Sequence, residues 1–241
     1  MDLYVIRHAQ SSNNTLVDQT YRVCDPDLTD LGWRQADLLA RHLASEAMRS
    51  LILSPSATAP RRHNGHGALF DHLYCSPMRR ALQTAAPLGK ALGLVPEVWA
   101  DIHEQGGVWL DHGAGVGTVG YPGITRRALL EEFPGYRVSD AITEEGWWVQ
   151  GQEEEQEASV RAARVAAGLR DRWHHDERIA FVTHGAFSML LFRALLGQPP
   201  DSEVCYHMDN TGVSLLRFRP NRTVSVRYMN RLDHLPAELI S

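Results

Sequence analysis

The chain has 241 residues, enough for one large core, and its 44% hydrophobic and 22% charged content is the balance of a soluble globular protein. A net charge of −5 argues against a surface made for nucleic acid or an anionic membrane, while leaving room for a local basic pocket. No apolar run approaches membrane-spanning length and no basic-then-apolar leader opens the chain. Cys24, Cys75 and Cys205 form no CxxC spacing, so reduced thiols in a cytoplasmic protein are expected.

The first element is the apolar run Leu3-Tyr4-Val5-Ile6, which reads as a buried strand and leads straight into Arg7-His8 and then Ala9 to Asn14. An arginine and a histidine ending an interior strand, followed by small and amide residues, describe a loop that holds an anion beside a nucleophile. The guanidinium offers a fork of donors for phosphate, and an imidazole nitrogen can attack. Residues 29 to about 46 carry Leu31, Leu38, Leu39 and Leu43 on one face, with Thr29 or Asp30 as N-cap, and read as an amphipathic helix. The next strand has two similar candidates, Leu51-Ile52-Leu53-Ser54-Pro55 and Leu73-Tyr74-Cys75-Ser76-Pro77.

Helices are predicted over 77–91, 153–174 and 185–196, the last ending at Gly197. Val95 to Trp99 is strand-like, Arg178 to Thr183 reads as a buried parallel strand, and 211–218 with 223–229 form a hairpin around Pro220-Asn221. Strands alternating with helices imply a three-layer α/β/α sandwich, its mostly parallel sheet covered on both faces. Functional residues then gather at the carboxyl ends of the strands. Residues 106–150 do not fit the alternation. They begin Gly-rich over 106–123 and end at Gly146-Trp147-Trp148, and a loop of that length inside a domain is usually functional.

Four blocks in order carry a resemblance: Arg7-His8-Ala9-Gln10-Ser11-Ser12-Asn13-Asn14, Asp25 to Ala36, Ser76-Pro77-Met78-Arg79-Arg80-Ala81-Leu82-Gln83-Thr84-Ala85, and Phe181-Val182-Thr183-His184-Gly185. Together they resemble the histidine phosphatase superfamily, the phosphoglycerate-mutase-like phosphohydrolases. The third block places the second strand near 72–75 and leaves 54–69, rich in Ala, Pro, Arg, His and Gly, as a surface-loop insertion. The resemblance also implies that 106–150 forms a lid over the active site, within one domain spanning 1–241.

By the same resemblance, His8 attacks phosphorus and becomes phosphohistidine, which water then hydrolyses. Arg7, Arg80 and, if protonated, His184 supply positive charge; the Asn14 side chain and backbone N–H groups near Gly185 add directed donors. For attack His8 must be neutral, its other nitrogen donating to a fixed acceptor such as a backbone carbonyl. Glu104 matches the acid that protonates the leaving alcohol, a role favoured by the adjacent dianion, with Asp101 or Glu97 as alternatives. No metal and no cofactor is required, because arginines and histidines neutralise the charge. Two departures stand out: Ala9 replaces the usual glycine, and Glu104 lacks the usual aspartate-aromatic-glycine continuation.

Other residues have two readings each. Ser11 and Arg22 are candidate substrate contacts, Arg22 equally a surface ion pair; Arg126 and Arg127 either clamp an acidic group from the lid or form a surface pair. Trp147 and Trp148 fit best as packing, Asp209-Asn210 as turn chemistry, and His63 with His66 lack the companions of a zinc site. The leading expectation is a metal-independent phosphomonoesterase for a small phosphorylated metabolite, its oligomeric state open. The alternatives are a phosphoglycerate-type mutase, disfavoured by the stretch Arg22 to Thr29, an inactive regulatory relative, disfavoured by the intact Arg7, His8, Arg80 and His184, and a phosphoprotein phosphatase with an open groove.

Overall fold

The computed structural model describes residues 1–46, 48, 69–172, 175–219 and 221–241. All of the 54–69 insertion except Leu69 lies outside them, as do the strand candidate at 51–55 and the His63–His66 pair.

A seven-stranded sheet runs through the molecule in the order β6-β3-β2-β7-β1-β8-β9. Its strands are β1 (Asp2–Arg7), β2 (His72–Cys75), β3 (Glu97–Val98), β6 (Arg137–Val138), β7 (Arg178–Thr183), β8 (Val213–Phe218) and β9 (Val224–Arg231). From β6 to β1 every neighbour is parallel; β8 pairs antiparallel with β1, and β9 with β8. The two central strands have no polar face, as parallel strands covered on both sides require. Tyr4, Ile6, Ala180 and Val182 face one core, in which they meet Leu39, Leu43, Leu82 and Leu88. Leu3, Val5, Ile179 and Phe181 face the other, with Leu169, Phe187 and Leu191. The period-two alternation of β1 and β7 therefore feeds two separate cores, one beneath α1 (Asp30–Leu43) and α2 (Arg79–Leu92), the other beneath α4 (Glu155–Asp171) and α5 (Gly185–Leu196). This is the expected three-layer sandwich.

Helix limits follow local chemistry. Thr29 caps α1 by accepting from Gly32 N–H, while Gly93 and Gly197 end α2 and α5 in the left-handed conformation. Helix α4 stops at Asp171, short of the predicted 174. No helix of the described residues is long and apolar enough to cross a membrane.

The reading of 106–150 as lying outside the strand–helix alternation is corrected. The segment starts with a separate hairpin of β4 (Trp109–Asp111) and β5 (Thr118–Gly120), then forms α3 (Arg126–Glu132) and returns to the main sheet, where β6 pairs parallel with β3. A two-residue strand after Pro134-Gly135 is too short to show any hydrophobic period, so sequence pattern cannot reveal it.

Candidate active site

The carboxyl ends of β1, β2, β3 and β7 face one cleft, as the position of ligand sites in open α/β sheets leads one to expect. His8 follows β1 directly and is 3% exposed. Its Nδ1 lies 2.7 Å from the Ala9 carbonyl oxygen, which only an Nδ1–H can approach favourably, and Arg80 Nε donates to Nε2 at 3.2 Å. The imidazole thus carries its proton on Nδ1 and leaves the Nε2 lone pair facing the cleft's cations. Burial, then Arg80 and Arg7, hold its pKa well below the usual histidine range.

The loop that follows His8 is braced from four directions. Ala9 N–H donates to Thr84 Oγ1 at 3.0 Å, Gln10 N–H to Gln35 Oε1 at 2.9 Å, and Asn210 Nδ2 to the His8 carbonyl at 2.9 Å. Thr211, at φ 59°, donates its N–H to the Arg7 carbonyl at 3.1 Å. Helix α1 approaches so closely that a Cβ on Gly32 would sit 2.1 Å from the Gln10 oxygen. Ala9 itself is not among the residues of positive φ, so its methyl causes no strain where a glycine is usual.

Arg80 is 9% exposed and its Nη1 lies 3.7 Å from Asp25 Oδ1, which also accepts from Arg79 N–H at 3.0 Å. Burial drives the Asp25 carboxyl up to about 6 despite both arginines, and its Oδ2 is buried without a partner. Arg7 donates from Nη1 to the Met208 carbonyl at 2.6 Å, while its buried Nε has no hydrogen-bond partner among the described residues. His184 is fully buried, its ring centroid 5.0 Å from that of His8 and its Nε2 2.7 Å from Ser76 Oγ; Nδ1 is unpartnered. In the sequence reading the charge of His184 is conditional on its protonation; in the free protein burial, then Arg80 and His8, hold its pKa well below the usual histidine range, which disfavours that condition.

Glu104 lies at the N-terminus of α5, accepting from Phe187 N–H at 2.9 Å and from Ala186 N–H at 3.4 Å, where helix N–H groups lack intrahelical partners. Gly185, the first residue of that helix, packs beside the Arg7 guanidinium, 3.6 Å from a Cβ position to Arg7 Nε. The loop bearing Glu104 is anchored by a buried ion pair: Arg161 grips Glu153 through both oxygens at 2.8 and 2.6 Å and donates to the Asp101 and His103 carbonyls at 2.7 and 3.0 Å. Although burial opposes it, hydrogen bonding from Arg161, with His103 Nε2 3.7 Å away, brings the Glu153 carboxyl down to about 2.

The cleft has a volume of about 300 Å³, and Arg80, Glu104, Arg22 and Trp109 are among its walls. Of the sequence candidates, Arg7, His8, Arg80, Glu104, His184 and Gly185 come together, and Arg22 stands at the mouth. The Asn14 carboxamide oxygen accepts from Ser11 N–H and Oγ at 2.9 and 3.0 Å, so the buried Ser11 hydroxyl is engaged in orienting Asn14 and its reading as a substrate contact is corrected. Of the two readings of Arg126 and Arg127, the structure fits the surface pair: Arg126 ties down the carbonyls of Ser139, Ile142 and Val138, where 138–143 meets the start of α3, and the exposed Arg127 pairs with Glu144. The alternative acids are elsewhere: Glu97 on β3 contacts His72 of β2 and Arg137 of β6, and Asp101 pairs with Arg164.

Sequence reasoning missed Asp25, Ser76, Thr84, Asn210 and the Arg161–Glu153 pair. The first three lie inside the quoted blocks and were open to discovery there. Asn210 was read as turn chemistry; it lies 202 positions from the carbonyl it holds.

The family profile described as the histidine phosphatase superfamily (branch 1) matches residues 3–63 and 57–231. Phosphoserine phosphatase 1 of Hydrogenobacter thermophilus is 28% identical over 236 residues, covering 97% of this chain and 93% of that protein. Among solved structures, a mutant phosphoserine phosphatase of Entamoeba histolytica in complex with phosphoserine aligns with a TM-score of 0.59 at 20% identity, over 98% of this chain and 99% of that one. The α-ribazole phosphatase of Shigella flexneri aligns with a TM-score of 0.60 at 21% identity, over 96% of each chain. With two helical layers on a mostly parallel sheet and a profile match spanning most of its length, the chain belongs to the histidine phosphatase superfamily, branch 1, and is a phosphomonoester hydrolase of that superfamily.

Proposed function

We propose that the chain is a cytoplasmic, metal-independent phosphomonoesterase that hydrolyses a small phosphorylated metabolite through a phosphohistidine on His8. The observation that carries this reading is the state of His8: a buried, neutral imidazole whose Nδ1 is committed to the Ala9 carbonyl and whose Nε2 lone pair accepts from Arg80. A phosphoryl group seated among Arg7, Arg80, the Gly185 N–H, His184 and Asn14 has its charge spread over fixed donors. The Nε2–P bond forms as the ester P–O bond breaks, and Glu104 in its acid form gives its proton to the departing alkoxide. Water then attacks the phosphohistidine while the Glu104 carboxylate takes the proton, releasing phosphate and restoring neutral His8.

In this reading 1–241 is one domain, and the start of the 106–150 segment is the lid, since Gly106, Gly107 and Trp109 line the cleft. Gly107 cannot carry a side chain there: at φ +72° its Cβ would meet Trp148 at 2.1 Å. The test is hydrolysis of p-nitrophenyl phosphate with EDTA present by wild type and His8→Ala. Wild-type turnover that persists in EDTA and falls at least about 10⁴-fold in the variant is expected, a loss of about 5 kcal/mol of transition-state stabilisation. Equal rates from the two proteins would sink the mechanism.

A further inference from the structure

The floor of the cleft accounts for one phosphoryl group, yet a further cation stands at its mouth with nothing to balance it. Arg22 follows the short turn Gln19–Tyr21 and lines the same cleft as Arg80 and Glu104. Its guanidinium carbon is 5.8 Å from the Trp109 ring centroid, and its side-chain hydrogen bond goes to the neutral Gln19 amide at 3.4 Å. Among the described residues no carboxylate pairs with it. The arginines nearby are treated differently: Arg79 has Asp27 and Glu132, Arg80 has Asp25, and Arg161 has Glu153. Arg22 also lies close enough to Arg80 for their charges to oppose each other. Asp25 and Glu104 are the carboxylates that act on Arg80, and with none paired to Arg22 among the described residues, the Arg22 end of the cleft describes a position completed by an anion from outside.

The neighbouring walls restrict which anion. The side-chain amides of Gln105 and Gln152 line the cleft and make no hydrogen bond among the described residues, so they add neutral donors and acceptors to a wall on which Arg22 is the guanidinium left over once Arg80 is given to the phosphoryl group. That set suits a monoanionic carboxylate, which one planar fork can bind through both oxygens, better than a second phosphate dianion. A volume of about 300 Å³ leaves room beyond the phosphoryl group for a short organic body only.

We propose that the cleft takes small phosphomonoesters bearing a carboxylate on the organic part, and that Arg22, steadied against the Trp109 ring, binds that carboxylate. The assignment rests on the phosphomonoesterase reading above and makes Arg22 the residue that selects the substrate class.

Two matched ester pairs differing mainly in the carboxylate test it: phosphoserine against phosphoethanolamine, and 3-phosphoglycerate against glycerol 3-phosphate. Wild type is expected to prefer the carboxylate member by about 10- to 100-fold in kcat/KM, chiefly through KM, the range for a hydrogen bond to a charged group. In Arg22→Gln that ratio should collapse to within about threefold, and Arg22→Lys should restore part of it. Turnover of p-nitrophenyl phosphate without a carboxylate preference in either pair overturns the Arg22 assignment and leaves the phosphatase reading standing. So does a preference that survives in Arg22→Gln. Absence of turnover for all five esters overturns the phosphatase reading and the assignment with it.

Discussion

On the floor of the cleft, His8, Arg80 and His184 are at most 9% exposed, and each touches a partner fixed by a strand end or a helix: the Ala9 carbonyl, Asp25 and Ser76. At the mouth, Arg22 is exposed, sits on a loop, and is held by one amide and the face of Trp109. The floor is rigid because desolvated charges and imidazoles are tolerated only where every neighbour is placed; the mouth can vary without disturbing the sheet. The contrast separates a reaction set by the core from a choice of substrate set by loops.

The contrast can be broken first at the anchor of the acid loop. Arg161→Ala leaves Glu153 buried and unpaired, and a loss of about 3–5 kcal/mol in unfolding free energy by denaturant titration is expected, against under about 1 kcal/mol for Arg22→Gln at the mouth. Because the Glu153 carboxyl is depressed to about 2, below its unfolded value, its contribution is present above about pH 4.5 and is lost as pH falls toward 2. Acid titration of wild type should show that loss, and Arg161→Ala should not.

Glu104→Gln keeps the shape of the acid and removes its proton. It should lower kcat about 10²–10³-fold with KM nearly unchanged, measured on an ester with a poor alkoxide leaving group. If p-nitrophenolate leaves almost as fast from the variant as from wild type, the acid role gains support; an equal loss on both esters would point to a structural role instead.

Asp25 sharpens the comparison with the smallest change. With its carboxyl near 6 it is mostly ionised at pH 7.5 and mostly neutral at pH 5, so Arg80 loses its counter-charge as pH falls. Asp25→Asn should cost about 10-fold in kcat/KM at pH 7.5 and much less at pH 5. Taking the ratio of wild type to variant at each pH cancels the titration of the substrate phosphate. A flat ratio would show that Asp25 does not act through its charge.

The sequence by itself determined the blocks that line the candidate site, because each consists of a few contiguous residues at a strand end: Arg7-His8 after Leu3 to Ile6, and His184-Gly185 after Phe181 to Thr183. It also determined the sandwich, since the unbroken apolar runs of β1 and β7 can be stable only between two helical layers. Tertiary structure alone decided what those residues are held by. The His8 carbonyl is fixed by Asn210 and Arg80 by Asp25, pairings across 202 and 55 positions that no local period records. It also decided the fate of ambiguous cations. Arg22 and Arg126 are the same residue type on exposed-looking segments, and only the meeting of the 138–142 segment with α3 engages Arg126 with the carbonyls of Val138, Ser139 and Ile142 while Arg22 is left facing the cleft. Charge and spacing are local properties, whereas whether a charge already has a partner is a property of the folded chain.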